Sequence, residues 1–317
     1  MSSTETLRTV AVAGTGLMGC GIASLFASAG VQVVIFDSDA RARRMAKEKC
    51  KAVFDEMVTA GTMTASAAAS AEARVATATS LEAFHDAQLV VEAIVESIDA
   101  KQSLYAEVEQ VLGETAIIAS TTSAIVPELL SARLRRPGRF LVAHFWNPPH
   151  IIPLVEVVAA PDTDPQVVSA VMDWVKAVNG KPVLLSKAAP GFIGNRLQFA
   201  VLREALHMLE TGIADAQTID EVMRQSVGRR YRWIGPLEGA DIGGLETFLK
   251  IGTQLLPHLA SNDEGLDVLR KLVVEKRGGR RDGHGIYIWD ADREVRLRES
   301  RLQMLKEAHL EGPGPAA

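Results

Sequence analysis

A glycine-rich turn between two apolar runs constrains the fold of this 317-residue chain more than any other feature. The run TVAVAG (9–14) predicts a buried strand, GIASLFASAG (21–30) has helical spacing, and VQVVIFD (31–37) predicts a second strand. A strand, a glycine turn, a helix and a strand within about 30 residues form a βαβ unit. Because the two strands of such a unit are parallel, the sequence predicts a parallel sheet covered by helices.

The turn itself, GTGLMGCG (14–21), fits the pattern G-x-G-x-x-G. In this pattern Gly14 permits a tight turn, Gly16 lets the backbone approach a pyrophosphate, and Gly19 lets the helix pack closely on the strand. Together with Leu17 and Met18, these glycines open a helix whose first N–H groups are available to an anion. The segment therefore predicts a dinucleotide-binding site.

An acidic residue in the second strand indicates which dinucleotide is bound. Asp37 lies 18 residues after Gly19, where a carboxylate accepts hydrogen bonds from ribose hydroxyls and repels a 2′-phosphate. This favours NAD over NADP. Two alternatives stay open: the turn could be purely structural, and Arg41, Arg43 and Arg44 leave room for NADP, although they also fit a solvated helix face.

Alternating strands and helices continue beyond this unit and then stop. Further strands are predicted in LVVEAIVE (89–96), TAIIAST (115–121), RFLVAHF (139–145), LVEVVAA (154–160) and KPVLLS (181–186). After Ala189 the apolar residues recur only at helical spacing. We therefore predict an α/β, Rossmann-type doubly wound domain over residues 1–189 and an all-α C-terminal domain over residues 190–317.

Composition argues against several classes of function. The net charge is −5, and the only dense basic cluster is GRRYR (228–232), so we expect no nucleic-acid partner. The two cysteines, Cys20 and Cys50, have no metal-ligand spacing, which predicts neither a zinc site nor a disulfide framework. No signal-peptide pattern or uninterrupted apolar span is present, so we expect a cytoplasmic protein without membrane contact.

The segment HFWNPPHIIPLVEV (144–157) carries the candidate chemistry. His144 ends a predicted strand, at the sheet edge where open α/β folds bind ligands. Glu156 lies twelve residues later in the next predicted strand, and a turn through Pro148 and Pro149 can bring it back against His144. A carboxylate bonded to one imidazole nitrogen leaves the other free to take a proton. Taken alone, such a pair also fits a structural hydrogen bond in a core.

Several segments, in the same order, resemble the L-3-hydroxyacyl-CoA dehydrogenases. They are HFWNP with LVEV, STTS (120–123), PGFIGNR (190–196), the GPLE and GGL segments within 235–245, and DGHGIY (282–287). The similarity extends from Val10 to about Trp289. The resemblance implies an NAD-dependent dehydrogenase with a small-molecule substrate, and a helical C-terminal domain that forms a homodimer.

The resemblance also implies roles for individual residues. His144 would be the general base and Glu156 its orienting partner. Ser123 and Asn195 would hydrogen-bond the reacting oxygen of the substrate, and Asn147 would help to position nicotinamide and substrate.

Two further residues, Glu96 and Lys101, resemble family residues near the nicotinamide ribose. The residues alone leave other interpretations open. Ser123 and Asn195 could each cap a helix, and Glu96 and Lys101 could form a solvated pair. Trp146 is interpreted as a packing residue.

Two departures from the acyl-CoA enzymes concern the substrate. Those enzymes typically read HFFNP followed by V-x-V-M-K-L-V-E, whereas this chain has Pro148-Pro149-His150 and Pro153. The proline-rich version is more similar to relatives that oxidise free hydroxy acids, such as L-carnitine and L-gulonate dehydrogenases, and to an NAD enzyme of pyridoxine breakdown that acts on a pyridine carboxylate.

The second departure is Arg230 in RRYRWI, where the free-acid relatives carry Arg-Tyr, Arg-Trp or Lys. An arginine there could bind a substrate carboxylate bidentately; it could equally lie in a solvated turn or pair with CoA phosphates. We rank a 3-hydroxyacyl-CoA first as substrate and a free 3-hydroxy acid or small hydroxy carboxylate second. A non-catalytic NAD-binding structural protein is a third possibility.

Overall fold

The first part of the chain folds around an eight-stranded sheet. The computed structural model describes residues 6–261 and 266–310. The strands are β1 (Thr9–Ala13), β2 (Gln32–Phe36), β3 (Val75–Thr77), β4 (Leu89–Glu92), β5 (Ile117–Ser120), β6 (Phe140–Phe145), β7 (Leu154–Ala159) and β8 (Lys181–Leu184). Their spatial order is β3-β2-β1-β4-β5-β6-β7-β8. Among these strands β6 and β7 pair antiparallel, and the other neighbours are parallel. The predicted doubly wound sheet is confirmed.

Helices cover both faces of this sheet, and after β8 the described part of the chain contains helices but no further strand of the sheet. Those of the first part are α1 (Leu17–Ser28), α2 (Ala40–Thr59), α3 (Ala65–Ala73), α4 (Ile98–Val111), α5 (Pro127–Ser131) and α6 (Pro165–Ala177). They are followed by α7 (Gly194–Glu210), α8 (Ala216–Gln225), α9 (Val227–Tyr231), α10 (Pro236–Gly243), α11 (Leu245–Leu255), α12 (Leu266–Val274) and α13 (Ala291–Leu310). None of the described helices is both long enough and apolar enough to cross a bilayer.

Alternate residues of β1 belong to two apolar cores, one on each face of the sheet. Val10 and Val12 pack in a cluster with residues of α1, α2, α3 and α6. Ala11 and Ala13 belong to a second cluster that includes residues of α4 and α5. A strand that is buried on both faces needs a continuous apolar run, which explains why TVAVA contains no charged residue.

The structure differs from the predicted elements in three places. Strand β3 was not predicted, because three residues are too few to show a period of two. The strand in LVVEAIVE ends at Glu92, so Glu96 lies in the loop before α4 rather than in a strand. Helix α1 begins directly after Gly16, four residues before the predicted window.

The chain separates into two compact units. The first unit comprises the described residues up to Phe192 together with those from Leu297 onward. The second unit comprises Ile193–Arg296. The sequence places a boundary after residue 189 and assigns everything beyond it to the C-terminal domain. In the structure α13 from Leu297 onward belongs to the unit that contains the sheet.

Contacts of α13 explain this difference. Leu302 and Leu305 pack with Ala60 and Ile151 in a small apolar cluster. Beside this cluster the guanidinium of Arg301 donates two hydrogen bonds, of 2.6 and 2.7 Å, to the carboxylate of Glu56 on α2. These partners are about 245 positions apart in the chain, so no local pattern could indicate them.

Glu56 also accepts a bond from His150, whose Nε2 lies 3.0 Å from Oε2. Burial alone would raise the pKa of Glu56, but the bonds from Arg301 and His150 lower it to about 2. A carboxyl group whose pKa is lowered by folding stabilises the fold above its ordinary value of 4.5 and ceases to do so as the pH falls towards 2.

We therefore expect Glu56→Gln to reduce the free energy of unfolding by about 1 to 2 kcal/mol near neutral pH, since Glu56 is partly exposed and its ion pairs are partly screened. The difference from wild type should stay constant down to about pH 4.5 and shrink below it. Urea titrations at several pH values measure it. Asp55→Asn, which removes an exposed ion pair with Lys51 on the same helix, is the matched control and should cost under about 0.5 kcal/mol. Equal effects of the two substitutions would contradict the prediction.

Candidate active site

The glycine turn adopts a geometry that side chains would not permit. Gly14 has φ +106°, and a Cβ there would lie 2.4 Å from the carbonyl oxygen of Ala93. A Cβ on Gly19 would lie 2.0 Å from the oxygen of Gly14, so α1 packs directly on the turn. A Cβ on Gly16 would meet nothing within 4 Å, which leaves open space beside the backbone.

The start of α1 faces that open space without a competing side chain. Gly16 is its N-cap, and no side chain caps the helix. Leu17 is exposed and Met18 is half-buried, so the first turn is accessible. Free N–H groups at a helix start bind anions, and these residues therefore fit the pyrophosphate of NAD.

Asp37, which follows β2, is hydrogen-bonded to the same glycine turn. Its Oδ2 accepts bonds of 2.8 Å from both the backbone N–H and the hydroxyl of Thr15, and its Oδ1 accepts the N–H of Asp39. Partial burial opposes ionisation, but the bonds from Asp39 and Thr15 outweigh it and lower the pKa of Asp37. The carboxylate thus fixes the turn and places a negative charge at the end of β2.

Two basic residues of α2 beyond Asp37, Arg43 and Lys49, are engaged by protein groups. Arg43 donates to the carbonyl oxygens of Asp37 and Ser38, and its guanidinium lies 5.6 Å from the ring centre of Phe36. Lys49 donates to the carbonyl oxygen of Thr15 at 2.7 Å. Arg43 is therefore held against β2 and is not simply part of a solvated face.

Asp37→Asn retains an acceptor for Thr15 but removes the charge. We expect the Kd for NADH to rise about tenfold, because hydrogen bonds to an ionised acceptor are the stronger ones. The preference for NADH over NADPH should narrow, since an amide does not repel a 2′-phosphate. Fluorescence titrations with both reduced cofactors measure this, with Asp55→Asn as a control on α2. An unchanged NADPH-to-NADH ratio would contradict the assignment of Asp37.

A buried carboxylate that was not singled out in the sequence lies at the end of β4. Glu92 is fully buried and accepts four bonds. The donors are Lys101 Nζ at 2.6 Å, the hydroxyls of Tyr105 and Ser120 at 2.7 Å each, and the N–H of Ile94 at 2.9 Å. Burial and the charge of Glu92 raise the pKa of Tyr105, so the phenol remains a donor.

Lys101 links this network to the predicted cofactor residue Glu96. Its Nζ lies 3.2 Å from Glu96 Oε2, and Lys101 itself is 1% exposed. Glu96 also accepts bonds from the hydroxyl of Thr122 and the N–H of Ser123. Burial opposes ionisation of Glu96, but Thr122 and Lys101 lower its pKa. The interpretation of Glu96 and Lys101 as a solvated pair is therefore wrong.

His144 and Glu156 are brought together by the register of β6 and β7. The two residues face each other across the antiparallel pair, and His144 Nδ1 lies 2.9 Å from Glu156 Oε2. Both side chains are buried, at 8% and 2% exposed. The twelve-residue spacing thus corresponds to a hairpin through the proline-rich segment, as the sequence predicts.

Two aromatic rings pack around this pair. Trp146 Nε1 donates to Glu156 Oε2 at 3.2 Å, and its ring centre is 5.9 Å from that of His144. Trp146 thus packs beside the pair, as the sequence suggests, and it also donates a hydrogen bond to Glu156. Phe192, which is buried with φ +49°, has its ring 5.5 Å from His144.

The remaining candidate residues of the first unit lie at the same edge of the sheet. Asn147 is exposed directly after β6, and Ser123 is exposed after β5. Ser123 does not cap α5, since the N-cap of that helix is Val126 and has no side-chain bond. Both side chains are thus available at the edge where β1 ends in the glycine turn.

Two candidate residues belong to the second compact unit. Asn195 is half-buried in the first turn of α7 and does not cap it, because the N-cap is Ile193. Arg230 is exposed in the short helix α9 and is accompanied there by Arg229. The segment that the sequence left open as a solvated turn is thus a short helix in which Arg230 is exposed.

The chain is similar to known proteins over nearly its full length. Residues 9–188 match the family described as 3-hydroxyacyl-CoA dehydrogenase, NAD binding domain, and residues 191–289 match its C-terminal domain.

Among similar proteins, the 5-formyl-3-hydroxy-2-methylpyridine 4-carboxylate 5-dehydrogenase of Mesorhizobium japonicum is 30% identical, over 94% of this chain and 96% of that one. The L-carnitine dehydrogenase of Nocardiopsis dassonvillei is 35% identical, over 73% and 70% of the two chains. A crystal structure of a 5-formyl-3-hydroxy-2-methylpyridine 4-carboxylic acid 5-dehydrogenase, described as an NAD⁺-dependent dismutase, superposes with a TM-score of 0.87. That alignment covers 98% of this chain and all of the other, at 29% identity.

The two matched domains together account for most of the chain, and the glycine turn with Asp37 fits the cofactor of this family. The protein is therefore an NAD-dependent oxidoreductase that belongs to the 3-hydroxyacyl-CoA dehydrogenase family.

Proposed function

We propose that this enzyme oxidises a secondary alcohol on a small carboxylate-derived substrate to the ketone. The observation that carries the proposal is the buried His144–Glu156 pair, at the edge of the sheet where the glycine turn lies. NAD, when bound, supplies the acceptor for the hydride that leaves the carbinol carbon. The hydroxyl proton must be taken up by the protein.

In this mechanism His144 is the general base. Its Nδ1 is engaged by Glu156, so Nε2 is the nitrogen that takes the hydroxyl proton. The carboxylate of Glu156 stabilises the resulting imidazolium and keeps the ring in place. We assign Ser123 and Asn195 to hydrogen bonds with the reacting oxygen, and Asn147 to the positioning of nicotinamide and substrate.

The same proposal assigns the cofactor residues. Gly14, Gly16 and Gly19, with the first-turn residues Leu17 and Met18, hold the pyrophosphate, and Asp37 holds the adenosine ribose. Glu96 is assigned to the nicotinamide ribose, with Lys101 holding its carboxylate in place.

For the substrate we now rank a free hydroxy carboxylate above a 3-hydroxyacyl-CoA. The sequence favours the thioester as the family's namesake substrate. Against this, the relative that matches 94% of the chain is named for a pyridine carboxylate, and a second is named for L-carnitine. Arg230, exposed in the second unit, supplies a guanidinium that can bind a carboxylate bidentately.

A substrate screen tests this ranking. NADH formation is compared for 3-hydroxybutyryl-CoA, L-carnitine, L-gulonate and other free hydroxy acids, using wild type, Arg230→Ala and the neighbouring control Arg229→Ala. We expect turnover of a free acid, with its KM raised about tenfold or more by Arg230→Ala alone. If only thioesters react and Arg230 is dispensable, the free-acid assignment fails. If no hydroxy compound reacts with NAD, the structural-protein alternative stands instead.

We further propose that the enzyme works as a cytoplasmic homodimer through its second unit. Helices there expose large apolar side chains, among them Phe199 (55% exposed) on α7, Leu237 (85%) on α10 and Leu249 (69%) on α11. Large apolar side chains exposed on several helices of one unit are typical of a subunit interface. Light scattering should give twice the chain mass. The double variant Phe199→Asp, Leu249→Asp should have a mass closer to that of the monomer. A monomeric wild type would refute the assignment.

A further inference from the structure

A tryptophan lies beside the His–Glu pair and takes no direct part in the proposed proton transfer. Trp146 Nε1 donates to Glu156 Oε2 at 3.2 Å, the same oxygen that lies 2.9 Å from His144 Nδ1. An indole N–H is a donor only, and it cannot accept. Glu156 Oε2 must therefore act as an acceptor towards Trp146.

This contact removes an ambiguity in the pair. A hydrogen bond between an imidazole nitrogen and a carboxyl oxygen can hold its proton at either end, and the ring can adopt either neutral tautomer. A donor on Oε2 favours the ionised carboxylate over a carboxyl that carries a proton on the same oxygen. Nδ1 of His144 is then the donor, and Nε2 keeps its lone pair.

We propose that Trp146 is a positioning residue: its indole N–H holds Glu156 as an anion and thereby fixes the His144 tautomer that has Nε2 free. The inference rests on the proposed function of His144 and deepens it. The HFFNP sequence typical of the acyl-CoA enzymes has phenylalanine at this place, whereas this chain has HFWNP and therefore carries the additional donor.

The indole N–H also affects the pH at which the pair takes up a proton. The side chains that contact the imidazole include Glu156 from β7, Trp146 from its own segment and Phe192 from beyond β8, and Glu156 is the charged one among these three. The N–H dipole withdraws negative charge from Glu156 and points its positive end towards the pair. Both effects disfavour an extra proton on the pair. Removal of the donor therefore shifts protonation to higher pH.

Trp146→Phe tests this, because it keeps an aromatic ring and removes the donor. We expect kcat to fall about five- to twentyfold, the acid limb of kcat/KM to move up by about 0.5 to 1 pH unit, and the Kd for NADH to stay within about twofold. Trp233→Phe, which changes an exposed tryptophan in the second unit, should leave all three quantities unchanged. A change in KM alone, with the acid limb in place, would identify Trp146 as a packing residue and overturn the proposal.

A second readout does not depend on turnover. In protein labelled with ¹⁵N-histidine, the resonances that vanish in His144→Gln report the tautomer of His144. Wild type should show the Nδ1–H form. In Trp146→Phe, where Glu156 takes up a proton more readily and then donates it to Nδ1, the Nε2–H form should appear as the pH falls. If this change occurs in a protein that oxidises no hydroxy compound, the positioning role holds and the proposed function fails. Identical tautomers in wild type and variant overturn the positioning role.

Should Trp146→Phe fold poorly, β-(3-benzothienyl)alanine incorporated at position 146 replaces the N–H by sulfur with nearly the same ring shape. The tautomer and the acid limb should then change as they do for phenylalanine. If the benzothienyl variant behaves like wild type in both, the hydrogen bond has no positioning role.

Discussion

Replacing His144 by glutamine is expected to lower kcat by about 10²- to 10⁴-fold, the usual contribution of a general base, while the protein still folds and binds NADH. Glutamine offers an N–H to Glu156, so the carboxylate, which is 2% exposed, does not lose its partner. It has no lone pair basic enough to take a hydroxyl proton. Steady-state kinetics with the best substrate of the screen measures the loss, and thermal unfolding and NADH fluorescence check the fold.

The other histidine of the same segment is the matched control. His150 points to Glu56 on α2, and its side chain is 4% exposed. His150→Gln should lower the melting temperature and leave kcat within about threefold of wild type, because the altered hydrogen bond to Glu56 acts on stability and not on proton transfer. Similar losses of kcat in both variants would mean that the segment as a whole, and not His144, supports turnover.

The largest effect on stability is expected for Lys101→Met. Lys101 Nζ lies 2.6 Å from Glu92 Oε1, and the side chains are 1% and 0% exposed. Removal of one partner leaves a charge buried without its counter-ion, which costs about 3 to 5 kcal/mol. Urea unfolding, followed by circular dichroism, should show this loss in the free energy of unfolding. Lys51→Met, which breaks an ion pair whose side chains are 52% and 61% exposed, should cost under about 1 kcal/mol.

A double variant separates the lost charge pair from lost packing. When Glu92→Gln is added to Lys101→Met, neither member of this buried ion pair carries a charge, while Tyr105 and Ser120 keep an acceptor. We expect the double variant to be more stable than Lys101→Met alone. If Glu92→Gln instead lowers the free energy of unfolding further, by as much as it does alone, the network is held by packing, and the electrostatic explanation is wrong.

Local patterns were sufficient to predict seven of the eight strands, the glycine turn with Asp37, and the His144–Glu156 pair. The βαβ unit is visible because its strands, turn and helix lie within about 30 residues and each has its own periodicity. The His144–Glu156 pair could be predicted because an antiparallel hairpin brings two residues of one segment into register. Asp37 could be predicted because its distance from the glycine turn reflects the length of one helix and one strand.

Contacts between distant segments could not be predicted in this way. Glu92 is joined to Tyr105 and Ser120 across 13 and 28 positions, and a glutamate in the apolar run LVVE was the only local signal for the network. The bond from Trp146 to Glu156 depends on the direction of one indole ring. The attachment of α13 to the first unit through Arg301 depends on a partner in α2.

Transfer of deuterium from substrate to cofactor tests the central claim most directly. The best hydroxy acid of the screen, deuterated at the carbinol carbon, is incubated with the enzyme and NAD, and the reduced cofactor is analysed by mass spectrometry and NMR. We predict that the label appears at C4 of the nicotinamide in wild type and that the His144→Gln variant gives about 10²-fold less labelled cofactor in the same time. Label that is released into water, or no reduced cofactor from any hydroxy compound, would contradict hydride transfer at this site.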